Sequence, residues 1–179
     1  MIKSRHTSVL GILALLTTTF SGNTALAQSS SELSLTTTFA SNNGFSGNIF
    51  DVNVLGESLR VTGLNVNLEQ RSSGSHIIEV YTREGTFQGA QTDPAGWVLV
   101  STTAVSSAGA NTPTFVDIDD FVLPGEETTG IIVFLANYES DGIRYTNGTG
   151  ATIVASNADL EITDGVGVSD VLFSSIFSP

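Results

Sequence analysis

The sequence predicts an all-β chain folded as a two-sheet antiparallel β-sandwich or jelly roll of about nine or ten strands, with helix confined to the leader. Three observations predict it. Apolar and polar residues alternate over short runs rich in β-branched side chains. Gly, Asn, Asp and Ser break those runs at regular spacing, without the tandem repeat that would mark a propeller or β-helix. After residue 27 no stretch sustains apolar residues at helical spacing.

The first residues read as a leader. Lys3 and Arg5 make a basic start, Val9 to Leu16 an apolar run softened by Thr17 to Phe20, and Ala25-Leu26-Ala27 a small-residue site before Gln28. That anatomy predicts a signal peptide over 1–27 and cleavage after Ala27. The apolar run falls short of the ~20 residues a membrane span needs, and nothing later is both apolar and long enough. A secreted, cell-surface or periplasmic chain is therefore expected, with no membrane insertion once the leader is cut. A Ser-rich N-terminal joint (28–35) and one β-sandwich module (36–179) remain, a single-domain length.

Composition removes several functions. Cysteine is absent, so neither disulfides nor thiol chemistry can contribute. All 18 acidic residues follow Ala27, whereas the leader takes Lys3 and Arg5, leaving Arg60, Arg71, Arg83 and Arg144 and a chain still more acidic than the formal −12 of the whole. Such a surface repels nucleic acid and anionic membranes, whose binding needs Lys and Arg to neutralise phosphate. The acidity reads as a solubility adaptation suited to salty surroundings.

Taken in order, Leu33-Ser34-Leu35-Thr36-Thr37-Thr38-Phe39 predicts a first strand, and Ala40 to Gly47 a loop. Phe50, Val52 and Val54 alternate with Asp51 and Asn53, the pattern of a strand with one wet face. Leu59 and Val61 share one parity and Leu64, Val66 and Leu68 the other. Gly63 sits at the change, so a bulge is expected there, because an uncorrected slip would turn the apolar face outward. His76 to Arg83 and Trp97 to Val105 form a central pair, joined by a loop with Gly85, Gly89, Asp93-Pro94 and Gly96, long enough to suit binding. Val116 and Ile118 lie in the next strand, which ends near Pro124-Gly125. Ile131-Ile132-Val133-Phe134-Leu135 is apolar at both parities and predicts a central strand covered on both sides. Ile143 to Thr146, Thr152 to Ala155 and Leu160 to Thr163 are shorter strands, and an apolar end runs from Val171 through Phe177.

Thr38-Phe39-Ala40, Asn43-Gly44, Gly47-Asn48-Ile49-Phe50-Asp51-Val52, Ile78-Glu79-Val80-Tyr81, Gly85-Thr86-Phe87-Gln88-Gly89, Trp97, Tyr145-Thr146-Asn147-Gly148 and Phe177-Ser178-Pro179 carry a resemblance. Together they resemble a module recurring in exported bacterial proteins, among them multidomain surface proteins. The resemblance implies a non-catalytic extracellular β-sandwich and assigns no catalytic residue. In similar modules the Phe-Ser-Pro ending precedes a further short strand, so a truncated copy is expected here.

Reactive side chains are scarce. His76 is the single histidine after the leader and, at the head of a strand, is expected at the surface. It cannot supply a multi-histidine zinc site, and no G-x-S-x-G elbow or H-E-x-x-H helix accompanies it. With no Lys after the leader, Schiff-base and P-loop chemistry are excluded. Asp117 and Asp119 would share a strand face ~7 Å apart, a spacing that overlaps inverting glycosidases, but two neighbours on a wet face are simply solvated.

Asn137-Tyr138-Glu139-Ser140-Asp141-Gly142 imitates half of an EF-hand loop. Gly148 replaces the bidentate Glu, which leaves Glu139 and Asp141 as candidate ligands of a non-EF calcium site beside the plainer reading of a turn. Flat rings with polar neighbours stack on sugar faces, making Tyr81, Phe87, Trp97 and Tyr145 the candidate ligand-binding residues, with Tyr138 beside them. A lone Trp in a sandwich is also a usual core residue. The expected function is structural or adhesive, not enzymatic, with an extracellular glycan or protein surface as partner. A carbohydrate-binding module, calcium-assisted or not, is the alternative, and an acid-only glycan hydrolase the third.

Overall fold

The computed structural model describes residues 8–10, 33–71, 74–147 and 153–177. The leader and joint expected over 1–35 lie outside these residues, apart from Ser8–Leu10 and 33–35. The described residues hold thirteen strands and no helix: β1 (Ser8–Leu10), β2 (Asn43–Phe45), β3 (Gly47–Val54), β4 (Leu59–Asn67), β5 (His76–Glu84), β6 (Val98–Val105), β7 (Pro113–Leu123), β8 (Thr128–Leu135), β9 (Ile143–Asn147), β10 (Ile153–Ser156), β11 (Leu160–Thr163), β12 (Val166–Val168) and β13 (Ile176–Phe177). Among them no helix is long and apolar enough to cross a membrane.

One layer is an antiparallel sheet in the order β10-β11-β3-β8-β5-β6. The free edge of β3 is shared. β11 pairs with Val52 to Val54 and β12 with Gly47 to Ile49, while β13 pairs with β12. The opposing layer consists of the β4–β7 ribbon and the β1-β9-β2 sheet, linked by the bridge Leu68–Ile143 and by Glu69 N donating to Gly142 O at 3.0 Å. Between the layers lies the main core, including Phe50, Val52, Leu64, Val66, Ile78, Val80, Val116, Ile131 and Val133, all buried. Each such side chain contributes ~1.5–3 kcal/mol by leaving water.

β4 is one strand, and its ladder with β7 shifts register between Val61 and Gly63. Val61 pairs with Phe121 and Gly63 with Asp117, so β7 accommodates two more residues than β4 across the shift. Both strands then change parity together, from Val61 to Leu64 and from Ile118 to Phe121, which keeps apolar side chains inward. Gly63 also provides room: a Cβ there would stand 2.6 Å from the ring of Phe115, which leans across the ribbon's outer face.

β8 is covered on both sides, as its doubly apolar pattern predicts. Ile131, Val133 and Leu135 enter the main core, while Ile132 and Phe134 enter a second cluster on the sheet's far side.

Three local expectations fail. Leu33 to Phe39 keeps its alternation, burying Leu35 and Thr37, but forms no ladder with the described residues. Ala40 to Gly47 contains β2 instead of being all loop. The second face of β3 is not wet: Asp51 is 7% exposed because an irregular loop lies over it. Within the apolar end, Val171 to Phe173 lie in a turn between β12 and β13.

Candidate functional site

The second cluster is laid out in rows by strand register. Gly47, Phe134 and Glu79 make one row across β3, β8 and β5. Ile49, Ile132 and Tyr81 make the next, and Asp51, Gly130 and Arg83 the third. Register partners share a face, so all nine point away from the main core. Leu99 of β6 extends the middle row, and Val166 and Val168 of β12 extend the other end.

Two irregular segments cover these rows. The first is the 85–97 loop. Asp51 holds it down, accepting hydrogen bonds from Thr86 Oγ1 at 2.5 Å and from Phe87 N at 2.8 Å. Burial raises the Asp51 carboxyl above its ordinary value, against those two bonds and the charge of Arg83. Gly130 makes the docking possible, because a Cβ there would meet the Arg83 stem at 2.8 Å and Phe87 N at 3.2 Å. Phe87 is thereby buried, and Trp97 is pinned by its Nε1 donating to Ala90 O at 3.0 Å. The Arg83 guanidinium carbon stands 5.6 Å from the centre of the Trp97 ring.

The second cover is the turn between β12 and β13, residues 169–175. Phe173 sits at its tip with φ 63°, a left-handed conformation costly for a bulky side chain. Its ring meets Tyr81 edge-on at 6.1 Å and Trp97 at 6.4 Å. The two covers therefore join at Trp97 and Phe173, with half-buried Tyr81 at the seam. Tyr81 OH donates to Glu79 Oε2 at 2.7 Å, and burial with that carboxylate holds the phenol protonated well above its ordinary range.

Three of the four candidate ligand rings thus come together: Tyr81, Phe87 and Trp97. Tyr145 does not; it is buried in the main core. Phe173 and Arg83 complete the group without having been singled out in the sequence. Nothing local marks them, since Phe173 lies in an apolar end without a distinguishing pattern and Arg83 closes a strand.

A polar clasp closes the other end of β5. Asp141 receives Arg71 Nε at 2.7 Å and Nη2 at 3.0 Å, while Arg71 also donates to Asn137 O at 2.6 Å and Ser75 O at 2.9 Å. His76 is fully buried, not superficial as its strand-head position predicts. Its Nε2 lies 2.6 Å from Asp141 Oδ2, poorly aligned, and its Nδ1 finds no partner among the described residues. Burial lowers the imidazole's pKa with help from the Arg71 charge, against the pull of Asp141. Burial opposes ionisation of Asp141 as well, but the Arg71 hydrogen bonds prevail and hold its carboxyl below the ordinary value.

Asn137 adds two bonds to the clasp, accepting from Ile77 N at 2.8 Å and donating to Ser75 O at 2.9 Å. The EF-hand-like stretch is therefore a turn whose oxygens serve the protein's own groups. Glu139 stands exposed, and a cation at Asp141 would have to displace Arg71. Among the described residues no three His, Cys, Asp or Glu gather closely enough to hold a metal ion.

Asp117 and Asp119 lie exposed on β7. Their backbones, not their carboxylates, make the local bonds: Asp117 O accepts from Thr103 Oγ1 at 2.8 Å and Asp119 N donates to Ser101 Oγ at 3.1 Å. These two bonds tie β6 to β7 across the layers. No protein-family model matches the chain, and neither a curated protein nor a solved structure matches it.

Proposed function

We propose that this chain is an exported, non-catalytic β-sandwich module with a structural or adhesive role at a bacterial cell surface, and that an extracellular glycan or protein surface is its partner. One observation carries this reading: the side chains best suited to chemistry are spent on joining segments. Asp141, Arg71 and His76 tie the 71–77 and 137–142 stretches together, and Asp51 ties down the 85–97 loop. Asp117 and Asp119 face solvent side by side, without the unlike environments that acid–base work requires. The leader-like first residues and the resemblance to exported modules support the location.

A carbohydrate-binding role is the second reading, favoured by the half-exposed Tyr81 and Trp97 at the seam. The test is a glycan array run with and without calcium, alongside incubation with the same polysaccharides. Retention without release of reducing ends is the result expected of a binding module. Release that Asp117→Asn or Asp119→Asn abolishes would replace both readings with a hydrolase.

A further inference from the structure

The 169–175 turn is attached to the sheet in an unusual way. Among the described residues its hydrogen bonds are internal, among them Ser169 N to Ser175 O at 3.3 Å, Ser174 N to Val171 O at 3.2 Å, Ser174 Oγ to Val171 O at 2.6 Å and Ser175 Oγ to Ser169 Oγ at 2.8 Å. What joins it to the sheet is the packing of Leu172 and Phe173 on the second cluster. A unit knit by its own serines and held by rings can lift as a body on the β12–β13 hairpin without breaking those bonds. Phe173 adds a cost to the closed state, because its left-handed backbone suits glycine better than a bulky residue.

Beneath the turn, the Tyr81 and Trp97 rings lose their Phe173 partner when it lifts. Polar groups border them. Glu79 holds the Tyr81 hydroxyl, and Arg83, over Trp97, has an Nη1 that is buried without a hydrogen-bond partner among the described residues. Two rings beside a carboxylate and unused N–H donors match a sugar ring, which offers an apolar face and a rim of hydroxyls. The chain's formal charge of −12 disfavours acidic polymers, which leaves neutral glycans.

We propose that the seam between Trp97 and Phe173 is a binding slot for a pyranose unit of a neutral glycan, and that the 169–175 turn is its lid, with Phe173 occupying the slot in the closed state. The inference rests on the carbohydrate-binding reading and gives it a place. Its stacking residues are Tyr81 and Trp97, and Arg83 Nη1 donates to a ring or hydroxyl oxygen.

Closure lowers apparent affinity by the fraction of molecules that are open, so a slot open one part in ten binds roughly tenfold more weakly than an uncovered one. Phe173→Gly removes the plug while relieving the left-handed backbone, and Phe173→Ala removes the plug alone. The intact chain, both variants and Tyr81→Ala are titrated with neutral cello-, xylo- and chito-hexasaccharides, following Trp97 emission, after a thermal melt has shown that each is folded. The expected result is severalfold tighter binding by the Phe173 variants than by the intact chain, and loss of binding in Tyr81→Ala. Binding by the intact chain that none of these substitutions changes overturns the slot and leaves the carbohydrate reading standing. Folded variants and an intact chain that all fail to bind overturn both.

Discussion

On the inner face of the eight-stranded sheet, Phe50, Val52, Ile78, Val80, Ile131 and Val133 meet the aliphatic side chains of β4 and β7, and nearly every contributor comes from a strand. On its outer face Ile49, Ile132 and Phe134 are covered by Phe87, Trp97, Leu172 and Phe173, which belong to a loop and a turn. The inner face is closed by strands that must be there for the sandwich to exist. The outer face is closed by irregular chain that needs its own anchors: the Asp51 carboxylate on one side and aromatic packing on the other. Burial on one side follows from period-two alternation, and on the other from a few long-range contacts.

The largest expected effect lies at the clasp that closes the end of the main core. Asp141→Ala leaves the Arg71 guanidinium buried without its counter-charge and should cost ~3–5 kcal/mol in a urea melt. A loss below ~1 kcal/mol would mean that the clasp is solvated and structurally idle. Next, Leu64→Ala, inside the main core just past the β4 register shift, should cost ~2–5 kcal/mol by cavity formation. Phe173→Ala on the outer face should cost about 1 kcal/mol, since its ring is half exposed and its backbone strain remains. If Phe173→Ala proves as costly as Leu64→Ala, the two faces are equally committed and the distinction between them collapses.

The smallest effect is a pH dependence. His76 has a folded pKa below its ordinary 6.5, so the stability it contributes is full above 6.5 and declines as pH falls from 6.5 through the folded value. Asp141, depressed below 3.8, gives up its contribution at more acid pH still. Asp51 and Asp164, both raised from 3.8 by burial, act in the opposite sense, favouring the fold as they protonate. Melts between pH 7 and 5 should show stability declining with acidity, and His76→Gln should flatten that slope. An unchanged slope in the variant would place the titrating group elsewhere.

Much of the inner face was legible in the sequence. The parity change at Gly63 predicted the register shift, and the doubly apolar run at Ile131 to Leu135 predicted a strand covered on both sides, because alternation is a local signal that burial writes directly. The outer face was legible only in part. Tyr81 could be placed beside Glu79 and Arg83 from the strand alone, but the burial of Asp51 depends on Thr86 and Phe87 some 35 and 36 residues away. The clasp was illegible for the same reason: Arg71 and Asp141 are 70 residues apart. The place of Tyr145 in the main core was not legible either, because a short strand does not declare which of its faces is covered.

The separation of the two faces rests on Phe173 covering the outer one, and Trp97, the single tryptophan, reports on that cover. The direct measurement is Trp97 emission and its quenching by acrylamide in the intact chain and in Phe173→Ala under native conditions. Emission that moves to longer wavelength with increased quenching in the variant, while the melt stays cooperative, is the predicted result. Identical emission and quenching in the two chains would contradict it.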